Sequence, residues 1–406
     1  MPDVVVVGGG PAGASTAFAL ARAGARVLVL DRAAFPRPKP CAEYLSPQAS
    51  RLLHAMGALD AVERAGAAHL AGMTVRAPNG ALIRGDFVAT HGYSAFRDRG
   101  LALRRTRLDP ILLDCARHAG AEVREQVRVT DVMRDARGRA LGVRVLRGDG
   151  ATEDIRAKLV VGADGLRSVV GRRLDLSRTR RWPRRLALVA HYEQFGDVTA
   201  WGEMHVERDV GYVGLAAVEE GLTNVAMVVP ASAAPLVSAD RTAFFERWLR
   251  DRPQLAPRMA GARRVTPVLA TGPFASHARR AWAPGAALVG DAADFFDPFT
   301  GEGIYAALRG GELVAPFALQ ALGADAAGAD RALAAYDRAR KAEFAGKWLV
   351  ERLISSAVGF APAINYFART LEARKDMADL LIGVTGDFVP AREVLRPRYL
   401  LNLLRP

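Results

Sequence analysis

Cysteine is almost missing from this chain: Cys41 and Cys115 are the only two in 406 residues, far apart and in no CxxC pair. A disulfide-stapled fold and a redox-active dithiol are excluded. Histidine is sparse too, seven residues with no Cys/His cluster at metal-ligand spacing, so no metal site is expected. Lysine is rare: five, against 51 arginines, which produce the formal net charge of +13. The arginines are spread along an alanine-rich chain without a stripe of interleaved aromatics, and nucleic-acid binding is not expected. Their densest run, SRTRRWPRR at 177–185, reads as a basic patch or a solvated linker. A clean apolar span is lacking as well. The uncharged runs 4–21, 221–239 and 353–368 are broken by Gly8, Gly9, Gly10 and Pro11, by Pro230 and Pro235, and by Gly359 and Pro362. The opening MPDVVVV has no basic n-region of a signal peptide, so a cytoplasmic protein is expected.

What is present is ordinary globular composition, 50% apolar and 24% charged, enough for one large unit or two to three packed subdomains. Four valines at 4–7 suit a strand buried on both faces. GGGPAG follows at 8–13, then the helix-like ASTAFALARAG and a second apolar strand, RVLVLD, ending on Asp31 with Arg32 beside it. Gly8 permits a tight turn, Gly10 lets backbone approach a pyrophosphate, and Gly13 lets the helix sit close to the sheet. Pro11 and Ala12 open that helix, whose N-terminal N–H groups and dipole attract phosphate, while Asp31 stands where an acid accepts ribose hydroxyls. A dinucleotide site is expected, and this turn alone does not choose between FAD and NAD.

Two further motifs make the choice. KLVVGADGLRSVVG at 158–171 places Gly162, Asp164 and Gly165 after a strand. AALVGDAADFFDPFTGEGI at 286–304 places Gly290 and Asp291 after another, then Pro298, Gly301, Gly303 and Ile304. With RRTRLD at 104–109 and RPKPCAEYLSP at 37–47, the chain resembles the flavoprotein hydroxylase fold typified by p-hydroxybenzoate hydroxylase. Within it, the chain resembles the geranylgeranyl reductase family, over about residues 3–345. The resemblance implies non-covalent FAD. Asp291 would contact the ribityl chain, and the Pro298–Ile304 turn would pack on the isoalloxazine. Asp164 would brace the pyrophosphate region, and Arg105 would reach the phosphates or the flavin edge. Cys41, in the family's KxCGExLSP-like loop, would lie near the flavin as a proton donor or as packing; Ala42 replaces the usual Gly, and Tyr44 adds bulk. Asp31 stands where FAD enzymes usually carry Glu. No second GxGxxG exists, so NAD(P)H would act as a transient reductant bound in a groove.

The fold expected is α/β. A Rossmann-type FAD-binding domain (1–72, 98–180 and 268–335) is interleaved with a mostly antiparallel substrate domain (73–97 and 181–267), followed by a helical tail, 336–406. Tyr212 is a candidate lining residue of the substrate cavity, or else a core aromatic of the sheet. The tail segment 347–371, with Trp348, Phe360, Tyr366, Phe367, Arg352 and Arg369, reads in three ways. It covers an access channel, rests peripherally on a membrane, or packs as a helix pair on the FAD domain. Nothing in the sequence sets the oligomeric state. The leading expectation is an FAD-dependent oxidoreductase that reduces a C=C bond of a hydrophobic molecule: a prenyl chain, quinone or polyketide. The alternatives are an NAD(P)H-dependent flavin monooxygenase of secondary metabolism and a non-catalytic FAD-binding partner protein.

Overall fold

The computed structural model describes residues 1–179, 184–209, 211–219, 221–274 and 276–405. The strand Val4–Val7 is buried along its whole length because it lies mid-sheet with both faces covered. It pairs in parallel with Val27–Leu30 on one side and Leu159–Gly162 on the other. Glu122–Arg124 and Ala286–Leu288 extend the parallel sheet, and Trp282–Ala283 closes one edge antiparallel. The helix Gly303–Leu322 lies hard against Pro11–Arg22: a Cβ on Gly311 would stand 2.6 Å from the Thr16 backbone nitrogen. That contact brings the last cofactor motif onto the first. A three-stranded antiparallel sheet, Arg128–Arg134, Ala140–Leu146 and Thr152–Arg156, completes this half.

The second half is one large sheet. Its order is Arg263–Arg264, Arg185–Glu193, Leu222–Pro230, Tyr212–Glu219, Trp201–Val206, Gly72–Arg76 and Leu82–Asp86. All neighbours are antiparallel except Trp201–Val206 with Gly72–Arg76. Its central strands are rich in β-branched and aromatic residues, as RLALVAHYE, YVGLAAVE and LTNVAMVVP show, and fall within the stretch 181–267 expected to form this sheet. The sheet also takes Leu269–Thr271, which pairs with Arg185–Glu193, although the sequence places residues from 268 onward in the nucleotide half.

The tail begins inside a single 33-residue helix, Ala326–Val358, which passes position 336 unbroken. Its later helices, Ala361–Glu372 and Lys375–Thr385, cover the edge strand Leu82–Asp86 of the large sheet. Glu372 and Asp379 accept the N–H groups of Leu82 and Asp86 at 3.0 and 2.9 Å, satisfying an edge that would otherwise be open. Of the segment 347–371, the helix Ala361–Glu372 packs on the edge of the large sheet and not on the FAD domain, one of the three resting places open from sequence. Leu349, Leu353, Phe360, Leu401 and Leu404 remain exposed. Among the described residues no helix is long and apolar enough to cross a membrane.

Candidate active site and cofactor cleft

Three glycines shape the nucleotide turn, for different reasons. Gly8 has φ +104°, and a Cβ there would lie 2.5 Å from the Ala163 carbonyl oxygen. A Cβ on Gly13 would lie 1.8 Å from the Gly8 oxygen. Both glycines are demanded by the fold itself. Gly10 is different: it caps the helix Pro11–Arg22 with no side-chain cap, and its Cβ would meet only the Arg37 and Arg105 guanidinium nitrogens, at 3.6 and 3.7 Å. An uncapped helix N-terminus facing two arginines is an anion site. Asp31 is buried and accepts Gly9 N–H at 2.7 Å and Ala33 N–H at 2.9 Å, so each oxygen already holds one backbone donor. Arg32 beside it is exposed.

Arg105 begins the helix Arg105–His118 and is buried with Asp109, which it grips at 2.6 and 2.8 Å. Arg37 also reaches Asp109, at 3.3 Å. Burial works against the charge of Arg105, but Asp109 and a hydrogen bond to the Cys41 sulfur outweigh it and raise its pKa. Asp164 accepts Val169 N–H at 2.6 Å; burial pushes its pKa up, and its Oδ1 is buried without a partner. Lys39 lies 3.8 Å from Asp291. Gly290, at φ +59°, presses against Ala12, so the first and third motifs meet. A Cβ on Gly303 would meet nothing within 4 Å, whereas Ile304 is core.

The loop carrying Cys41 is fixed by Glu43, a buried carboxylate at φ +61°. Its Oε1 accepts the Arg105 N–H at 2.9 Å, and its Oε2 meets His191 Nε2 at 2.7 Å and accepts from Asn224 Nδ2 at 2.9 Å. Asn224 also donates to the Cys41 carbonyl at 2.9 Å, and His191 Nδ1 meets Thr266 Oγ1 at 3.2 Å. One carboxylate thus joins the Cys41 loop, the Arg105 helix and two strands of the large sheet. The thiol itself is partly exposed and accepts Glu43 N–H at 3.3 Å.

Beside this loop lies a cavity of about 40 Å³. Ala42, Tyr44 and Asn224 line it on one side, Pro298, Phe299 and Gly301 on another, and the rest is largely apolar. Tyr212 is not among the lining residues. It is buried in the core, donates to Asp297 Oδ1 at 2.6 Å and meets Phe299 edge-on at 5.0 Å. Asp297 in turn accepts Phe299 N–H at 3.1 Å and pairs with Arg185 at 2.6 Å. Arg185, the last residue of the arginine run, therefore braces the Pro298 turn; residues 180–183 of that run lie outside the described residues. Asp294 pairs with Arg340 of the long helix.

The three motifs meet one another, Gly8 against Ala163, Gly290 against Ala12 and Gly10 facing Arg105, and the Cys41 loop reaches the cavity through Ala42 and Tyr44. Arg37, Lys39, Glu43, His191 and Asn224 belong to the same place and were assigned no role from sequence. The first three share the Cys41 loop, which was the available signal. The two strand residues carried none.

An orphaned carboxylate oxygen on Asp164, a glycine that opens toward two arginines and an uncapped helix N-terminus fit an adenine dinucleotide. Fold and cleft together define an FAD-dependent oxidoreductase of the p-hydroxybenzoate hydroxylase-like fold. The FAD binding domain family model matches residues 1–345. Digeranylgeranylglycerophospholipid reductase 2 of Methanopyrus kandleri is 31% identical over 393 residues, 95% of this chain and 93% of that one. Menaquinone reductase of Mycolicibacterium smegmatis is 32% identical over 332 residues, 77% and 75% of the two chains. The solved myxobacterial chondrochloren halogenase superposes with a TM-score of 0.78 at 27% identity, covering 88% of this chain and 83% of that one. The chain belongs to the geranylgeranyl reductase family of FAD-dependent oxidoreductases.

Proposed function

We propose that the protein reduces a carbon–carbon double bond of an apolar substrate, with NAD(P)H as the transient reductant. The observation that carries this reading is the position of Cys41. It directly precedes Ala42, which lines an apolar cavity, on a loop that the large sheet holds through Asn224 and Glu43. Bound FAD supplies the hydride. The residues of the chain do the rest. Arg105 and Arg37 face the Gly10 turn as counter-charges for the pyrophosphate. Asp297, held by Tyr212 and Arg185, fixes the Pro298–Gly301 backbone that forms one cavity wall. Leu70, Met73, Met204 and Leu215 keep that wall dry. Addition of hydride to one alkene carbon leaves the other in need of a proton, and the Cys41 thiol is the group placed to give it. The names of the 31% and 32% identical relatives, a phospholipid reductase and a menaquinone reductase, support the choice of reduction and of an apolar substrate.

The test is a single turnover of dithionite-reduced holoenzyme under strict anaerobiosis. Flavin reoxidation with a saturated product is expected without O2, and Cys41→Ala should slow that step about 10²-fold, the usual worth of a positioned acid, with FAD retained. Product that forms only on admission of O2, with an oxygen atom incorporated, establishes the monooxygenase instead.

A further inference from the structure

The cavity beside the Cys41 loop is mostly apolar, and one of its lining residues, Tyr44, carries an uncommitted hydroxyl. Tyr44, the bulky residue by which this loop departs from the family pattern, is 4% exposed, and its hydroxyl is buried with no hydrogen-bond partner. Its ring is wedged between glycines: a Cβ on Gly301 or on Gly100 would lie 2.8 Å from it. The ring stacks on Phe87 at a centroid distance of 6.2 Å. The phenol therefore has no freedom to swing out to solvent. Asn224, also in the wall, is 1% exposed and already gives its Nδ2 to Cys41 and Glu43. An orphaned buried hydroxyl costs about 1–3 kcal/mol, a cost removed when a ligand supplies the acceptor.

Burial, with the charge of Glu302 behind it, raises the Tyr44 pKa well above its ordinary value, so the hydroxyl keeps its proton and acts as a donor. The cavity, about 40 Å³, exceeds the space of one water but falls far below that of a whole ligand. Its remaining wall is adjustable. Met73 packs against Gly202, where a Cβ would lie 2.5 Å from its sulfur, and Met204 packs against Gly214 at 3.0 Å. Unbranched thioethers laid over bare glycine backbone can repack around an entering group.

Resting on the reading of the site as an apolar-substrate reductase, we propose that Tyr44 is a specificity-determining residue. It donates a hydrogen bond to a carbonyl oxygen of the substrate, which is an apolar molecule bearing a ketone or quinone next to the flavin-facing turn. A bare isoprenoid chain offers the hydroxyl no acceptor. A ketone or quinone satisfies it while presenting an otherwise apolar body to Met73, Met204 and Leu215.

Binding to the oxidised holoenzyme tests this without turnover, so a failed reductase assignment does not disturb the result. The probes are 2-methyl-3-prenyl-1,4-naphthoquinone and the matching naphthalene, which lacks both oxygens. They are titrated against the FAD absorbance band and against tryptophan fluorescence. The wild-type protein is expected to bind the quinone about five- to tenfold more tightly, the worth of one buried hydrogen bond. Tyr44→Phe should remove that preference while leaving the naphthalene Kd and the FAD content within about twofold. Equal wild-type affinity for the two probes, or binding of neither, overturns the proposal even if no variant folds. A preference that survives in Tyr44→Phe overturns it as well.

Discussion

Gly10 and Gly13 lie three residues apart in one turn, yet substitution should separate fold from cofactor. At Gly13 a methyl would collide with backbone, the Gly8 carbonyl at 1.8 Å, so Gly13→Ala forces helix and strand apart. Loss of both FAD and several kcal/mol of stability is expected. At Gly10 a Cβ has ordinary room, so Gly10→Val should fold with a near-normal Tm while its branches fill the space in front of Arg37 and Arg105. Purified Gly10→Val should be colourless. Full yellow occupancy, measured as FAD released on denaturation, contradicts the placement of the pyrophosphate. The glycine pattern was legible because a strand, a turn and an acid follow one another in the sequence. The arginines in front of Gly10 were only partly legible. Arg105 came from a motif, whereas Arg37 depends on Asp109, 72 positions on, and no local pattern encodes that pairing. Glu43 shows the same limit: its partners His191 and Asn224 sit on strands buried at nearly every position, whose apolar runs say only that. Glu43→Ala would strand the Arg105 N–H, the Asn224 amide and His191. A Tm loss equivalent to about 2–4 kcal/mol is expected, with faster alkylation of Cys41 by iodoacetamide. An unchanged alkylation rate would mean that the carboxylate does not hold the loop.

The Pro298–Gly301 turn is an element held from behind. Asp297 accepts from Tyr212 and from Phe299 N–H and pairs with buried Arg185, which also donates to Ser355 of the long helix at 3.0 Å. Lys347 of that helix reaches Glu302 at 3.3 Å and also pairs with Asp387. The tail is thereby tied to the cofactor turn through side chains as well as to the sheet edge through backbone. Tyr212→Phe keeps the edge-on contact with Phe299 and removes one hydrogen bond, so FAD affinity should fall only about threefold. Asp297→Ala leaves Arg185 buried and unpaired, a loss of about 3–5 kcal/mol, and should release FAD and destabilise the protein together. Isothermal titration of the apoprotein with FAD separates the two variants, and equal effects would rule out the ion pair as the main brace. The strands of the large sheet were legible from their β-branched runs bounded by glycine. The tail's resting place was not, because which edge a helix pair covers is decided by long-range fit, here Ile382 lying over bare Gly85.

At the scale of the whole molecule, buried acids pull the pH dependence of stability in opposite directions. Burial alone would raise Glu203, but hydrogen bonds from His205 and Arg258 outweigh it and hold the carboxyl down at about 2. A depressed carboxyl binds its proton more weakly in the folded state. Its contribution, on the order of 3 kcal/mol, is complete above the unfolded value and disappears as pH falls toward 2. Glu302 and Glu351 behave oppositely. Burial raises both, most strongly Glu351, whose shift the neighbouring Glu302 charge increases and which Lys347 only partly offsets. A raised carboxyl holds its proton more tightly when folded, so its stabilising effect is present in acid and is lost as pH rises above the ordinary glutamate range. From these groups Tm is expected to gain from Glu203 as pH rises out of the acid range and to lose from Glu302 and Glu351 toward alkaline pH. Glu351→Gln, which supplies a neutral side chain of the same shape, should flatten the alkaline decline and raise Tm at pH 8, by on the order of 1 kcal/mol. Glu203→Gln should flatten the acid limb and lower Tm at neutral pH. Thermal melts of the FAD-loaded protein from pH 3 to 9 decide the matter. If Glu351→Gln melts below wild type at pH 8, Glu351 is ionised in the folded state and the carboxylate cluster behind the Pro298–Gly301 turn carries more charge than its burial allows.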